Sequence, residues 1–188
     1  MAASTPYDQL VGTVKIYLAT YGTAEPDVAT APGASWAELG CTEGDQVYDE
    51  AGALTKFYDN CHMGPVKTVL GQQDPMVTFN LVGLTLENVA RVIRTVGAVA
   101  TPSGATKKLA LKRTAAQTEY ALLFRGDADS PYGNYPGQIY IPRGVFEGVL
   151  NMTRSKTGRP AVACTFHALE DDAQSEMDRL GWMTVQTS

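Results

Sequence analysis

Residues 76–97 read MVTFNLVGLTLENVARVIRTVG. The first part alternates, with Val77, Phe79 and Leu81 directed one way, as a half-buried strand requires. From Leu86 the period lengthens. Leu86, Val89, Ala90, Ile93 and Val96 fall on one side of a helix of about three turns. Thr85 is placed as its N-cap, Leu84 and Val89 as a hydrophobic staple, and Gly97 as its terminator. Arg91 and Arg94 project from the opposite face. A helix that is apolar on one side must lie against something, and strands before and after it supply the surface.

Outward from this switch the chain is written in strands. TVKIYLA (13–19) places Val14, Ile16 and Leu18 on one face of a half-buried strand. Residues 20–35, rich in Gly, Pro, Ala and Thr, read as a loop. WAELG opens a second strand region, and GDQVYDEAGALTKFYDN (44–60) continues through a turn into another strand or an ordered extension. Asp59 to Pro65 is a polar turn, VKTVL a short strand and GQQDP (71–75) a turn. After TPSGAT come KKLALKRT (107–114), TEYALLFRG (118–126), GQIYIPRG (137–144), VFEGVLNMT (145–153) and PAVACTFHAL (160–169), each a strand or strand fragment. Such spacing fits an antiparallel sandwich or barrel. The segment 170–188 fits either a docked tail or a helical turn followed by a strand.

The 188 residues suit one domain, with residues 1–12 as an N-terminal arm and 170–188 as a C-terminal segment. With 44% hydrophobic and 19% charged residues the chain is an ordinary globular one. No apolar run reaches the ~20 residues of a membrane helix, and MAASTPYDQLVGTVK lacks the pattern of an export signal. A chain that is cytoplasmic when made is expected, and Cys41, Cys61 and Cys164 are expected to be thiols. The net charge of −5 is unevenly spread. Residues 1–50 hold eight acids against Lys15, whereas residues 61–125 hold eight bases against three acids. Solvated faces account for such runs, and so does head-to-tail contact between copies.

Catalysis needs convergent polar groups, and none stands out. Cys61 and His62 are adjacent and point apart in extended chain, and His167 lies opposite Cys164 and Phe166. The cysteines and histidines show no zinc spacing. Glu170, Asp171, Asp172 and Glu176 lack the loop of a calcium site and read as a solvated acidic face. Lys107, Lys108, Lys112 and Arg113 form a basic strand without the interleaved aromatics of a nucleic-acid reader. No catalytic residue, metal or cofactor is expected.

Taken together, IYLATYGTAEP, WAELG and GPVKTVLGQQDPMVTFNLVGLTLENVARVI resemble the major tail tube proteins of long-tailed, siphovirus-type bacteriophages. The likeness covers residues 12–98, with ACTFHAL as further support. It implies a mainly β fold, two antiparallel sheets packed as a sandwich or small barrel, with one helix plugging a side. It also implies hexameric rings, stacked into a tube through which double-stranded DNA passes, with tape measure and tail terminator proteins as partners and the virion tail as final location. A tube protein of a contractile particle or secretion machine is a close variant. A β-sandwich binding or decoration module of a virion or cell surface is the alternative from another class, and an enzyme is the least favoured. Residues 1–12, 44–64 and 170–188 are candidates for reaching a neighbouring ring, with Phe57 and Tyr58 as aromatic anchors and Arg91 and Arg94 as exposed interface charges.

Overall fold

The computed structural model describes residues 14–40, 42–61, 63–82, 85–93, 99–112, 117–126, 137–153 and 160–185. Its elements are β1 (Val14–Thr20), β2 (Ala37–Gly40), β3 (Thr42–Phe57), β4 (Lys67–Val82), α1 (Leu86–Ile93), β5 (Ala100–Ser103), β6 (Thr106–Lys108), β7 (Tyr120–Gly126), β8 (Gly137–Phe146), β9 (Asn151–Thr153), β10 (Ala161–Ala168) and β11 (Trp182–Val185). Every pairing is antiparallel. Nine strands form one sheet in the order β2-β1-β7-β8-β10-β4-β3, with β11 added to β8 and β9 to β10, while β5 and β6 form a separate hairpin. The mainly β chain with one helix is as expected. The two large sheets expected are instead one continuous ladder.

That ladder curls. The rings of Phe79 in β4 and Phe124 in β7 meet edge-on with centroids 6.2 Å apart, although β8 and β10 lie between their strands. Across a flat sheet the two strands would stand about 14 Å apart. Bending brings Ile16, Leu18, Phe79, Leu122, Phe146 and Phe166 into one buried cluster, each contributing about 1.5 to 3 kcal/mol on full burial. The alternation of β1 and of β4 puts Ile16 and Leu18, and Val77, Phe79 and Leu81, on this inner face as their spacing predicts.

β7 departs from alternation because both of its faces are covered. Ala121, Leu122 and Leu123 are all fully buried. Behind the sheet, Ala19, Ala121, Leu123 and Tyr140 pack with Trp36, and with half-buried Tyr17 and Trp182. The loop 20–36 forms this second cover and is fastened by side chains from the sheet. Arg125, nearly buried, donates to the carbonyls of Asp27 and Val28. Burial pulls its pKa down, opposed by the charges of Tyr17 and Asp27. Gln138 donates to Glu25 at 2.6 Å and to the Pro26 carbonyl at 2.9 Å, and the Tyr140 hydroxyl donates to the Thr23 carbonyl at 2.8 Å.

α1 is described over eight residues, Leu86–Ile93. Thr85 caps it as predicted: its hydroxyl oxygen accepts from the Asn88 amide at 3.2 Å. The buried face is Asn88, Val89, Val92 and Ile93. Leu86, expected inside, is exposed, because the helix is turned by part of one residue's step so that Asn88 can reach β2. Leu84, Arg94, Val96 and Gly97 lie outside the described residues.

Three strand readings are corrected. GQQDP is not a turn but the middle of β4. The ladder places Gly52 opposite Gln73 and Leu54 opposite Leu70, so β4 carries one extra residue there, and a bulge absorbs what reads as turn chemistry. Of KKLALKRT, Lys107 and Lys108 belong to β6, which pairs back on β5 through a turn at Gly104 and Ala105, residues 109–112 are not strand, and Arg113 and Thr114 lie outside the described residues. VFEGVLNMT is divided between the end of β8 and β9.

Candidate assembly interface

β3 and β4 pair along most of their length, from Thr42 opposite Leu81 to Phe57 opposite Lys67. β10 accompanies β4 only as far as the pair His167 and Met76. Beyond it, residues 50–57 and 67–75 continue as a two-stranded ribbon that projects about 26 Å, at ~3.3 Å per residue. Pro75 stands where pairing with β10 has ended, a position that tolerates a missing N–H as a sheet edge does. Residues 58–66 close the ribbon, with the Val66 amide donating to the Phe57 carbonyl at 2.9 Å.

This arm displays apolar side chains. Phe57 is 50% exposed and Tyr58 66%, with Val47, Leu54, Val66 and Val69 also exposed and Met63 fully so. Residues opposite one another share a face, so Thr55 and Val69 stand beside Phe57 and Lys67 on one side of the ribbon. Acid is concentrated at its root, where Glu43, Asp45 and Asp49 are exposed. Phe57 and Tyr58, singled out in the sequence, thus stand together at the arm's tip. Cys61 is exposed beside them, its amide donating to the Asp59 carboxylate at 3.0 Å, whereas His62 lies outside the described residues.

Arg91 lies elsewhere, on α1, half-buried, and donates to the Asn88 side-chain oxygen at 3.1 Å. The structure therefore does not bring Arg91 to the tip aromatics. Glu87, one turn back, pairs with Lys107 of β6. The Lys107 hydrogen bond holds the Glu87 carboxyl below its usual pKa, and the pair ties the small hairpin to the helix.

The C-terminal segment does not present the uniformly solvated acidic face that its composition predicts. Asp171 is 2% exposed. Its carboxylate accepts from the Tyr21 hydroxyl at 2.7 Å, the Ala173 amide at 3.1 Å and the Gln174 side chain at 3.2 Å. Arg143, whose Cζ lies 5.3 Å from the Tyr21 ring centre, grips Glu119 with two nitrogens at 2.9 and 2.8 Å and the Glu170 carbonyl with a third at 3.1 Å. The Arg143 hydrogen bonds hold the Glu119 carboxyl below its ordinary pKa. Turns and bends over 172–180 lead into β11, so of the helical turn and strand expected only the strand is found. This network spans distant parts of the chain, and no local pattern announces it. Cys164 and His167 occupy opposite faces of β10, the former buried and the latter half-exposed, as expected.

Among the described residues no three His, Cys, Asp or Glu side chains gather as metal ligands. Among the described residues no helix is long and apolar enough to cross a membrane. The chain matches no protein-family model and no curated protein sequence.

Proposed function

We propose that this chain is a major tail tube subunit of a long-tailed bacteriophage, whose copies close into rings, hexameric on the family resemblance, that stack into a conduit for double-stranded DNA. The observation that carries the reading is the arm formed by residues 50–57 and 67–75. A two-stranded ribbon alone in water is marginal, and this one also exposes Phe57, Tyr58, Val66 and Val69. A neighbouring copy would bury those side chains at ~25 cal/mol per Å². Because the arm and the surface receiving it differ, the contact is heterologous and propagates, as stacking requires.

Two further features agree. β2 and β3 end the sheet order and leave edges that ring closure would pair. On this reading the curled sheet and α1 act as the sandwich or small barrel of one subunit. Glu43, Asp45 and Asp49 suit a wall that repels phosphate, where a basic lining would hold the duplex by counterion release. Tape measure and tail terminator proteins would be its partners, in a tail assembled in the host cytoplasm.

Negative-stain imaging of the purified protein, over a series of concentrations and salt, tests the proposal. Rings or tubes with a central hole are expected. A protein that stays monomeric throughout overturns it.

A further inference from the structure

We propose that the cleft walled by Tyr21, Tyr140 and Trp182 and edged by Glu25 and Asp171 is a binding site for an organic cation, a guanidinium or alkylammonium group. The cleft lies behind the sheet, away from the β3–β4 arm, and its volume of about 360 Å³ admits an arginine-sized side chain.

Its chemistry is set by two carboxylates that are hydrogen-bonded only by neutral groups, with the Arg143 charge felt by Asp171 alone. Glu25 accepts from Gln138 at 2.6 Å, from the Trp182 indole at 2.8 Å and from the Thr184 hydroxyl at 3.2 Å. Asp171 accepts from Tyr21, Ala173 and Gln174. All six donors are neutral. The Arg143 guanidinium stands over the Tyr21 ring, 5.3 Å from its centre, but its hydrogen bonds go to Glu119 and the Glu170 carbonyl, and Arg179 stands 3.6 Å from Asp172. Among the described residues, then, neither cleft carboxylate makes an ion pair.

Aromatic faces complete the site. Tyr140 and Trp182 pack with ring centres 4.7 Å apart, and Tyr21 lines the same cleft. Such rings attract a cation through their negative faces. Carboxylates that make no ion pair add charge-assisted hydrogen bonds, which discriminate a cation from a neutral group of equal shape. The field of the site registers on Tyr140: burial, then the charges of Glu25 and Asp171, push its hydroxyl pKa up to about 12. The cation could be a protein's side chain or a free small molecule, the chemistry being shared.

The indole N–H of Trp182 bonds to Glu25 and reports occupancy directly. Its indole proton–nitrogen NMR signal, identified by loss in Trp182→Phe, is followed while the full chain is titrated with agmatine, with acetyl-Gly-Arg-Gly-amide, and with the citrulline peptide that is its neutral twin. A saturable shift is expected from the cations, about tenfold weaker with citrulline and in Glu25→Gln. Tighter binding of the arginine peptide assigns a protein side chain, and tighter binding of agmatine a free cation. Equal response to the citrulline peptide, or no saturation by either cation up to about 50 mM, overturns the proposal. The citrulline comparison needs no substitution, so it decides even if Glu25→Gln loosens the loop. Ring formation is not needed for any of these outcomes.

Discussion

The side-chain amide of Asn88 in α1 donates to the carbonyl of Leu39 in β2 across 2.7 Å. One buried bond thus ties the helix that follows β4 to the strand at the far end of the sheet order. Asn88→Ala removes the donor and strands a carbonyl away from water, at a cost of about 1 to 3 kcal/mol. Urea unfolding measures it. An unchanged midpoint would show that the bond does not hold helix to sheet.

Gly144 occupies the part of β8 that pairs with both β7 and β10. A Cβ there would stand 2.3 Å from the Phe166 ring and 2.5 Å from the His167 carbonyl oxygen. The ring can shift but the backbone oxygen cannot without breaking its strand. Gly144→Ala is expected to cost about 1 to 3 kcal/mol through overpacking, read as a lower thermal midpoint.

The Asp171 network is expected to be acid-sensitive. Burial works to raise the carboxyl pKa, but hydrogen bonds from Tyr21, Ala173 and Gln174 and the charge of Arg143 outweigh it, leaving the folded value below the ordinary 3.8. A depressed pKa contributes stability above the unfolded value that is lost as pH falls through the folded one. Tyr21→Phe should move the Asp171 titration upward by carbon NMR. Asp171→Asn should lose that component of acid destabilisation below about pH 4.

Cys61 and Cys164 should differ sharply in reactivity. Cys61 is exposed, whereas burial pushes the Cys164 thiol up to about 12 and leaves almost no thiolate at neutral pH. Alkylation followed by peptide mass spectrometry should label Cys61 in the native protein and Cys164 only after unfolding.

If the arm joins copies, Phe57→Ser and Tyr58→Ser together should raise the concentration needed for assembly by at least about tenfold, as loss of an aromatic anchor does. Circular dichroism of the monomer should not change, because both side chains already face solvent. Light scattering at matched concentrations measures the effect, and normal assembly would exclude the arm tip as the joint.

Short-range periodicity made much of this fold legible. Ile16 and Leu18, Val77 and Phe79, and the Thr85 cap are set by neighbours a few residues away. What escaped is what distant residues decide. The bulge that keeps Gly71 to Pro75 inside β4 appears only against β3, and Leu86 loses its place in the core to Asn88, whose partner is 49 residues away. β7 shows no alternation because a loop a hundred residues earlier covers its second face. Of the candidate interface, Phe57 and Tyr58 stand out in the sequence as large side chains at the end of an extended segment, and the structure leaves both exposed. The cleft was not, since Glu25 and Trp182 meet across 157 residues.

β1 finds its long partner only in β7, with Val14 opposite Gly126 and Thr20 opposite Tyr120. During synthesis β1 must therefore wait until Gly126 has left the ribosome, with the four residues of β2 as its earlier partner among the described residues. Loop closure over that distance comes before the contacts that reward it, so native pairing is intrinsically slow. Through that interval the exposed apolar ribbon is already complete, which makes the nascent chain most prone to premature association before its body has closed.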